Sequence, residues 1–222
     1  TNHTLRIVAR GSHNPYSKGS KVYIDSLQFS SATGSHNFPA GTGPVTAQRM
    51  ILGYPGREDY KDAEGNLWRP CTEIVTPLHK RQDTVAKCWM KRTSNNITNT
   101  SDPELYRYGC RARDFWVNVT VGPGTYDARL MFAITMKEVE YMTGTDILIN
   151  DKVVIKNFNL PGTAKEMNRA VDLVFKNITP VNGIIQVRLK TTHKEIITDA
   201  FLQALEINLQ ITAKGEIPGT YK

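Results

Sequence analysis

Residues 115–133 read FWVNVTVGPGTYDARLMFA. Phe115, Val117, Val119 and Val121 alternate with Trp116, Asn118 and Thr120, and after the Gly-Pro-Gly break Ala128, Leu130 and Phe132 resume the apolar series. A repeat of two places successive side chains on opposite faces of an extended strand. The stretch therefore predicts two strands, each with one buried face, joined as a core hairpin.

The alternation continues on both sides. DILINDKVVI (146–155) sets Asn150-Asp151 between two apolar runs, and RAVDLVF and IIQVRLK flank Asn182-Gly183, so two further hairpins are expected. In AFLQALEINLQI (200–211), Leu205, Ile207, Leu209 and Ile211 alternate with Glu206, Asn208 and Gln210. Upstream, Gln48 to Leu52 reads as a short strand leading into a loop with Tyr60, Asp62, Gly65 and Trp68. Helical periodicity is confined to a short piece expected near Thr163 to Arg169. About eight short strands punctuated by Gly, Asn and Pro predict an all-β jelly roll or sandwich.

The strands divide the chain unevenly. Residues 1–44 hold two strand-like runs, LRIVARG and KVYIDSLQFS, then the Gly/Ser/Thr/Pro-rich stretch SSATGSHNFPAGTGP, which reads as a linker. The first part has the look of the end of a preceding β-module; residues 45–213 form the main sandwich and 214–222 a tail. The chain opens at Thr1 without a charged-then-apolar leader, which fits a mature secreted product or an excised fragment. No apolar run approaches the roughly 20 residues that a bilayer needs.

Charge is concentrated. Between His79 and Arg113 stand eight basic side chains against three acidic ones, much of the chain's net charge of +7. A local field of that sign favours an anionic partner. Nucleic acid is disfavoured, since no RNP-like or helix-turn-helix pattern accompanies the charge. Cys71, Cys88 and Cys110 lack the paired spacing of zinc or redox sites, leaving buried thiols or one disulfide with an odd thiol. The five histidines are scattered and no G-x-S-x-G elbow is present, so no catalytic constellation is expected. Asp59, Asp62 and Glu64 crowd one loop and could serve a structural calcium. Five Asn-X-Ser/Thr sequons, at Asn2, Asn96, Asn99, Asn118 and Asn177, would accept glycans in a eukaryotic secretory pathway.

Three stretches together resemble the malectin-like modules, including those appended to family-2 β-galactosidase-type glycoside hydrolases. They are DYKDAEGNLWRP (59–70), ELYRYGCRARDFWVNVTVGPGTYDARLMFA (104–133), and DILINDKVVIKNFNL (146–160) with the later AFLQALEI. The resemblance spans about residues 45–212 and implies a galactose-binding-domain-like jelly roll without catalytic activity. It also implies an oligo- or polysaccharide as partner, a catalytic domain in the same parent chain, no cofactor, and a secreted, periplasmic or cell-surface setting.

A sugar offers a C–H face and a hydroxyl rim, so its binder needs an aromatic platform with polar neighbours on loops. Tyr60, Trp68, Trp89, Tyr106 and Tyr108 are the candidate platform, and Arg111, Asp62 and His193 the candidate rim. The resemblance sets Trp89 where one sugar-holding tyrosine of malectin stands, and Tyr106 or Tyr108 near another. After Phe132-Ala133 this chain has Ile134, Thr135, Met136 and Lys137, where malectin carries its aromatic pair.

Overall fold

The computed structural model describes residues 46–56, 58–71, 74–75, 87–89, 93–135, 137, 143–192 and 199–210. All fall in the compact unit Phe38–Lys222; the expected N-terminal strands, the linker and the tail lie outside the described residues. The described residues hold fourteen short strands: β1 Gln48–Ile51, β2 Tyr60–Lys61, β3 Leu67–Pro70, β4 Ile74–Val75, β5 Lys87–Trp89, β6 Gly109–Ala112, β7 Asp114–Thr120, β8 Tyr126–Ala133, β9 Thr145–Ile149, β10 Lys152–Phe158, β11 Ala170–Ile178, β12 Ile184–Thr191, β13 Ala200–Leu202 and β14 Ala204–Leu209. They form a six-stranded sheet (β11-β8-β14-β1-β3-β2), a five-stranded sheet (β10-β9-β12-β7-β4) and a three-stranded one (β13-β6-β5). The all-β sandwich read from the alternation is the observed fold.

The core is made by the residues that the alternation selects. Phe115, Val117, Val119 and Val121 join Ala128, Leu130, Phe132, Ile147, Val187, Leu189, Leu205 and Ile207 in one buried cluster. β7 and β8, however, are not a hairpin: β7 pairs with β12 and β4, whereas β8 pairs with β11 and β14. The Gly-Pro-Gly connection arches from one sheet to the other, so the two apolar faces meet across the core instead of lying side by side. Asn182-Gly183 behaves the same way, since β11 and β12 belong to different sheets. Of the three expected hairpins only Asn150-Asp151 closes one, β9 to β10, with both turn residues at positive φ.

The short helix α1 lies at Leu160–Ala164, earlier than expected. Asn159 caps it, its side chain accepting from Gly162 N, and Lys165 in the left-handed conformation stops it before Glu166. Glu206 breaks the inside-outside rule. It is 7% exposed although it alternates with the core residues of β14, because Arg49 on β1 and Arg129 on β8 flank it with ion pairs of 2.6 and 3.6 Å.

The three-stranded sheet joins the others. β6 passes into β7 through Arg113, and β13 into β14 through Gln203. The ends of β1, β8 and β12 and the start of β9 therefore gather at this end of the sandwich. Among the described residues no helix is long and apolar enough to cross a membrane.

Candidate functional site

The turn after β1, Leu52-Gly53-Tyr54-Pro55-Gly56, is pressed against the start of β6. Gly53 has φ of +69°, and a Cβ there would strike the Gly109 carbonyl oxygen, so only glycine permits the approach. It brings Tyr54 against Tyr108 with ring centroids 5.2 Å apart and planes at 84°, an edge-to-face pair. Tyr60, from β2, stands 6.2 Å from Tyr54 on another side. The Tyr54 ring also lies over Gly56, where a Cβ would collide with Cε1. Three tyrosines from three separate segments thus form one cluster, with Tyr54 and Tyr60 half-buried and Tyr108 buried.

The loop around the 3-10 turn Pro103–Tyr106 supplies its polar edge. Tyr60 Oη donates to Asp102 Oδ1 at 2.7 Å and Tyr108 Oη to Glu104 Oε1 at 2.5 Å. Asp102 also accepts from the backbone N–H of Ala63 and Glu104. Glu104 is paired with Arg107 at 3.1 Å, and Arg107 Nη1 donates to the carbonyls of Thr93 and Asn95. Burial, then the hydrogen bonds to Asp102 and Glu104, push the Tyr60 and Tyr108 phenols well above the usual tyrosine range. Both are fixed neutral donors.

Trp68 and Tyr106, two other platform candidates, are each 1% exposed. They pack with Ile51, Ile97, Leu105, Met131 and Ala133 in a second apolar cluster, against which Tyr54 and Tyr60 rest. Tyr106 Oη donates to Asp172 Oδ1 at 2.6 Å, and Arg129 holds the same carboxylate through Oδ2. Both rings are enclosed, and Tyr54 and Tyr60 pack against the cluster that holds them.

Asp62 is occupied as well. Its Oδ1 accepts from the backbone N–H of Glu64 and Asn66, and its Oδ2 from Asn66 Nδ2 and Trp68 Nε1. Partial burial pulls its carboxyl upward, but the bonds from Trp68 and Asn66 outweigh this and hold it below the ordinary aspartate value. With four N–H donors on it, Asp62 organises the turn instead of presenting free lone pairs to a cation, while Asp59 and Glu64 are exposed. Among the described residues no three His, Cys, Asp or Glu side chains come together as metal ligands.

Arg111 lies on β6, opposite Lys87 and Phe201, and is 3.8 Å from Asp199. Trp89 is the β5 partner of Gly109, next in sequence to Tyr108; His193 lies outside the described residues. Cys71 and Cys110 are buried, and Cys88 is the ladder partner of Cys110.

Buried acceptors gather just past β8. Gln203 Nε2 donates to Ala133 O, Asn168 N to Ile134 O, and Thr135 follows. Gln203 Oε1, Asn168 Oδ1 and Thr135 Oγ1 have no hydrogen-bond partner among the described residues. The sequence reading missed this group and Tyr54. An aromatic residue enclosed by glycines and a proline, GYPG, was the available signal for Tyr54.

The malectin domain model matches residues 58–205, well over half of the chain, and the chain belongs to that family. It has no match among curated proteins. Among solved structures it is similar to the β-glucuronidase of Bacteroides uniformis, with TM-score 0.55 and 17% identity over 74% of this chain and 18% of that one. It is also similar to the ANX2 ectodomain of Arabidopsis thaliana, with TM-score 0.60 and 12% identity over 75% of this chain and 42% of that one. The ANX1 ectodomain of the same plant gives TM-score 0.59 and 12% identity over 74% and 41%. The chain spans less than half the length of these structures, and the likeness is one of fold.

Proposed function

We propose that the chain is a non-catalytic carbohydrate-binding module and that its sugar seat is the Tyr54–Tyr60–Tyr108 cluster. The observation that carries the reading is the convergence of these rings, at 5.2 and 6.2 Å, with a carboxylate on the phenol of two of them. The partly exposed rings of Tyr54 and Tyr60 suit the C–H face of a pyranose, and Glu104 and Arg107 suit its hydroxyls. Trp68 and Tyr106 brace this seat from beneath. Arg111, on β6 two residues beyond Gly109, is assigned to its flank.

The basic run from His79 to Arg113 favours glycans bearing uronate or sulfate. A β-glucuronidase among the similar structures supports that class and a place beside a catalytic domain, and the plant ectodomains support a secreted or cell-surface setting. Isothermal titration with a tri-glucuronide and a neutral glucan at two salt concentrations tests the reading. Tyr54→Ala is expected to weaken binding of the acidic sugar by about tenfold or more, for a loss of stacking worth ~1–3 kcal/mol, comparable to base stacking on aromatics. Raising salt is expected to weaken the acidic sugar selectively. Equal binding by wild type and Tyr54→Ala would remove the seat, and insensitivity to salt would remove the acidic preference.

A second reading, a ligand-free scaffold bracing the domains of a multidomain hydrolase, draws support from the same comparison, because the chain corresponds to only 18% of that enzyme. Absence of any glycan binding by an intact, folded chain would favour it.

A further inference from the structure

A cleft of about 700 Å³ takes its walls from β10 of the five-stranded sheet, from β11 of the six-stranded one and from the turn at 179–181. That is the size of a pocket for a small organic molecule. It stands apart from the tyrosine cluster. Ile178, one of its walls, is the partner of Tyr126 at the start of β8, whereas the tyrosines rest on a group that includes Met131 and Ala133 near the end of that strand.

The lining is graded from apolar to cationic. Ile149 and Ile178, 5% and 8% exposed, belong to the main core, and Phe175 packs against it. Val154 and Val174 are 39% and 53% exposed, and Lys152 and Lys176 are exposed. The floor is therefore apolar, and the mouth carries two ammonium groups among aliphatic side chains. Lys152 is directly opposite Ile149 across the β9–β10 hairpin, so the two share a face. Val174 and Lys176, two apart on β11, also share one. Each wall thus sets a cation next to apolar surface, and a ligand that uses both must carry a charge at one end of an apolar body.

Hydrogen-bonding capacity is small. Asn150 Nδ2 donates to Thr179 O and its Oδ1 accepts from Gln186 N, each at 2.9 Å, which fixes the turn and commits both ends of the amide. Phe175 is the one aromatic residue among the described lining residues, and it belongs to the floor. A pyranose, which needs a platform and partners for its hydroxyls, is poorly served.

Charge selects the head group. None of the described lining residues is acidic. Asp127, which reaches β11, already accepts from Asn177 N and Gln210 Nε2, and Asp151, next to Lys152 in the chain, helps to hold Arg188 charged. An anion at the mouth meets two ammonium groups without a carboxylate beside them in the described wall.

We propose that this cleft binds a single-chain aliphatic carboxylate from solution, its tail on Ile149, Phe175 and Ile178 and its carboxylate at the mouth beside Lys152 and Lys176. Burial of the tail supplies the affinity. The lysines, exposed to solvent, supply selectivity more than strength. The site does not depend on the tyrosine cluster being a sugar seat.

The test uses the full chain with 13C-labelled valine and isoleucine methyl groups. It is titrated with hexanoate, octanoate and decanoate, each below its micelle-forming concentration, and with octanol and octylamine. The methyl signals of Ile149, Val154, Val174 and Ile178 are expected to shift together, and each added pair of methylenes to tighten binding about tenfold. Octanol is expected to bind about fivefold more weakly than octanoate, and octylamine more weakly still. In Lys152→Gln with Lys176→Gln, octanoate falls to the level of octanol while octanol is unchanged, and since both lysines are exposed the melting temperature stays near that of the wild type. The proposal is overturned if octanoate binds the wild type no tighter than octanol, if affinity ignores chain length, or if the shifts fall outside the cleft. Sedimentation of the chain with phosphatidylglycerol vesicles, without binding of any monomeric carboxylate, would overturn it as well. The wild-type series decides even if the double variant fails to fold.

Discussion

The indole N–H of Trp68 donates to Asp62 Oδ2 at 2.8 Å, so a residue that reads as a sugar platform and one that reads as a cation ligand satisfy each other. The bond closes the loop between β2 and β3 and holds the indole at 1% exposure beneath the tyrosine cluster. Trp68→Phe keeps most of the ring volume and is expected to cost ~1–2 kcal/mol through the lost hydrogen bond and altered fit. Trp68→Ala is expected to cost ~3–5 kcal/mol through the cavity it leaves. Urea unfolding followed by far-UV circular dichroism measures both, and near-wild-type stability of Trp68→Ala would contradict the buried placement.

Asp62 gives the protein an acid-sensitive element. Its folded carboxyl titrates below the ordinary value because of the N–H groups converging on it, and the unfolded chain binds the proton near pH ~3.9. Its stabilising contribution is therefore complete above about pH 4 and is lost as pH falls through the lower, folded value. In Asp62→Asn the urea midpoint at pH 7 is expected to drop, and the gap from wild type to narrow between pH 4 and pH 2. A gap that is constant with pH would argue against the depressed carboxyl.

The tyrosines give the complementary response at high pH. Tyr60, Tyr106 and Tyr108 are raised by burial and by the carboxylates near them. Their contribution is intact below the unfolded value of ~10 and is lost as pH rises through the higher, folded values. Tyr126 is raised by burial as well, so spectrophotometric titration at alkaline pH should show four of the nine tyrosines ionising only with unfolding. Ionisation of all nine near pH ~10 in a folded chain would be inconsistent with these hydrogen bonds.

Two glycines at positive φ separate crowding from backbone strain. Gly53→Ala drives a Cβ into the Gly109 carbonyl, whereas at Gly65 the nearest atom is the Lys61 Cε at 3.7 Å. Gly65→Ala is expected to cost ~1–2 kcal/mol, the left-handed penalty alone. Gly53→Ala must cost more, and it should also weaken glycan binding by moving Tyr54 away from Tyr108. Thermal unfolding together with titration calorimetry compares them; equal losses of stability would deny the close approach.

Much of this architecture is legible locally. The apolar alternation of Phe115–Val121 and of Ala128–Phe132 identifies core faces, and each of those seven residues is no more than 1% exposed. The turn at Asn150-Asp151 is equally clear, since both residues tolerate the positive φ that a tight hairpin demands. The pairing of β7 with β12, and of β8 with β14, is not legible, because a two-residue period says which face is buried and nothing about which strand lies alongside.

The chain's sequence alone determined the all-β class, its inward residues and the resemblance that the family match confirms, because these rest on short-range periodicity and on ordered motifs. Only the tertiary structure decided which aromatic rings face water. Tyr60 is met by Asp102 and Tyr106 by Asp172, partners 42 and 66 residues away, while Tyr54 reaches Tyr108 because two glycines let backbones touch. Exposure depends on what packs from distant parts of the chain, and no local pattern of residue types carries that information.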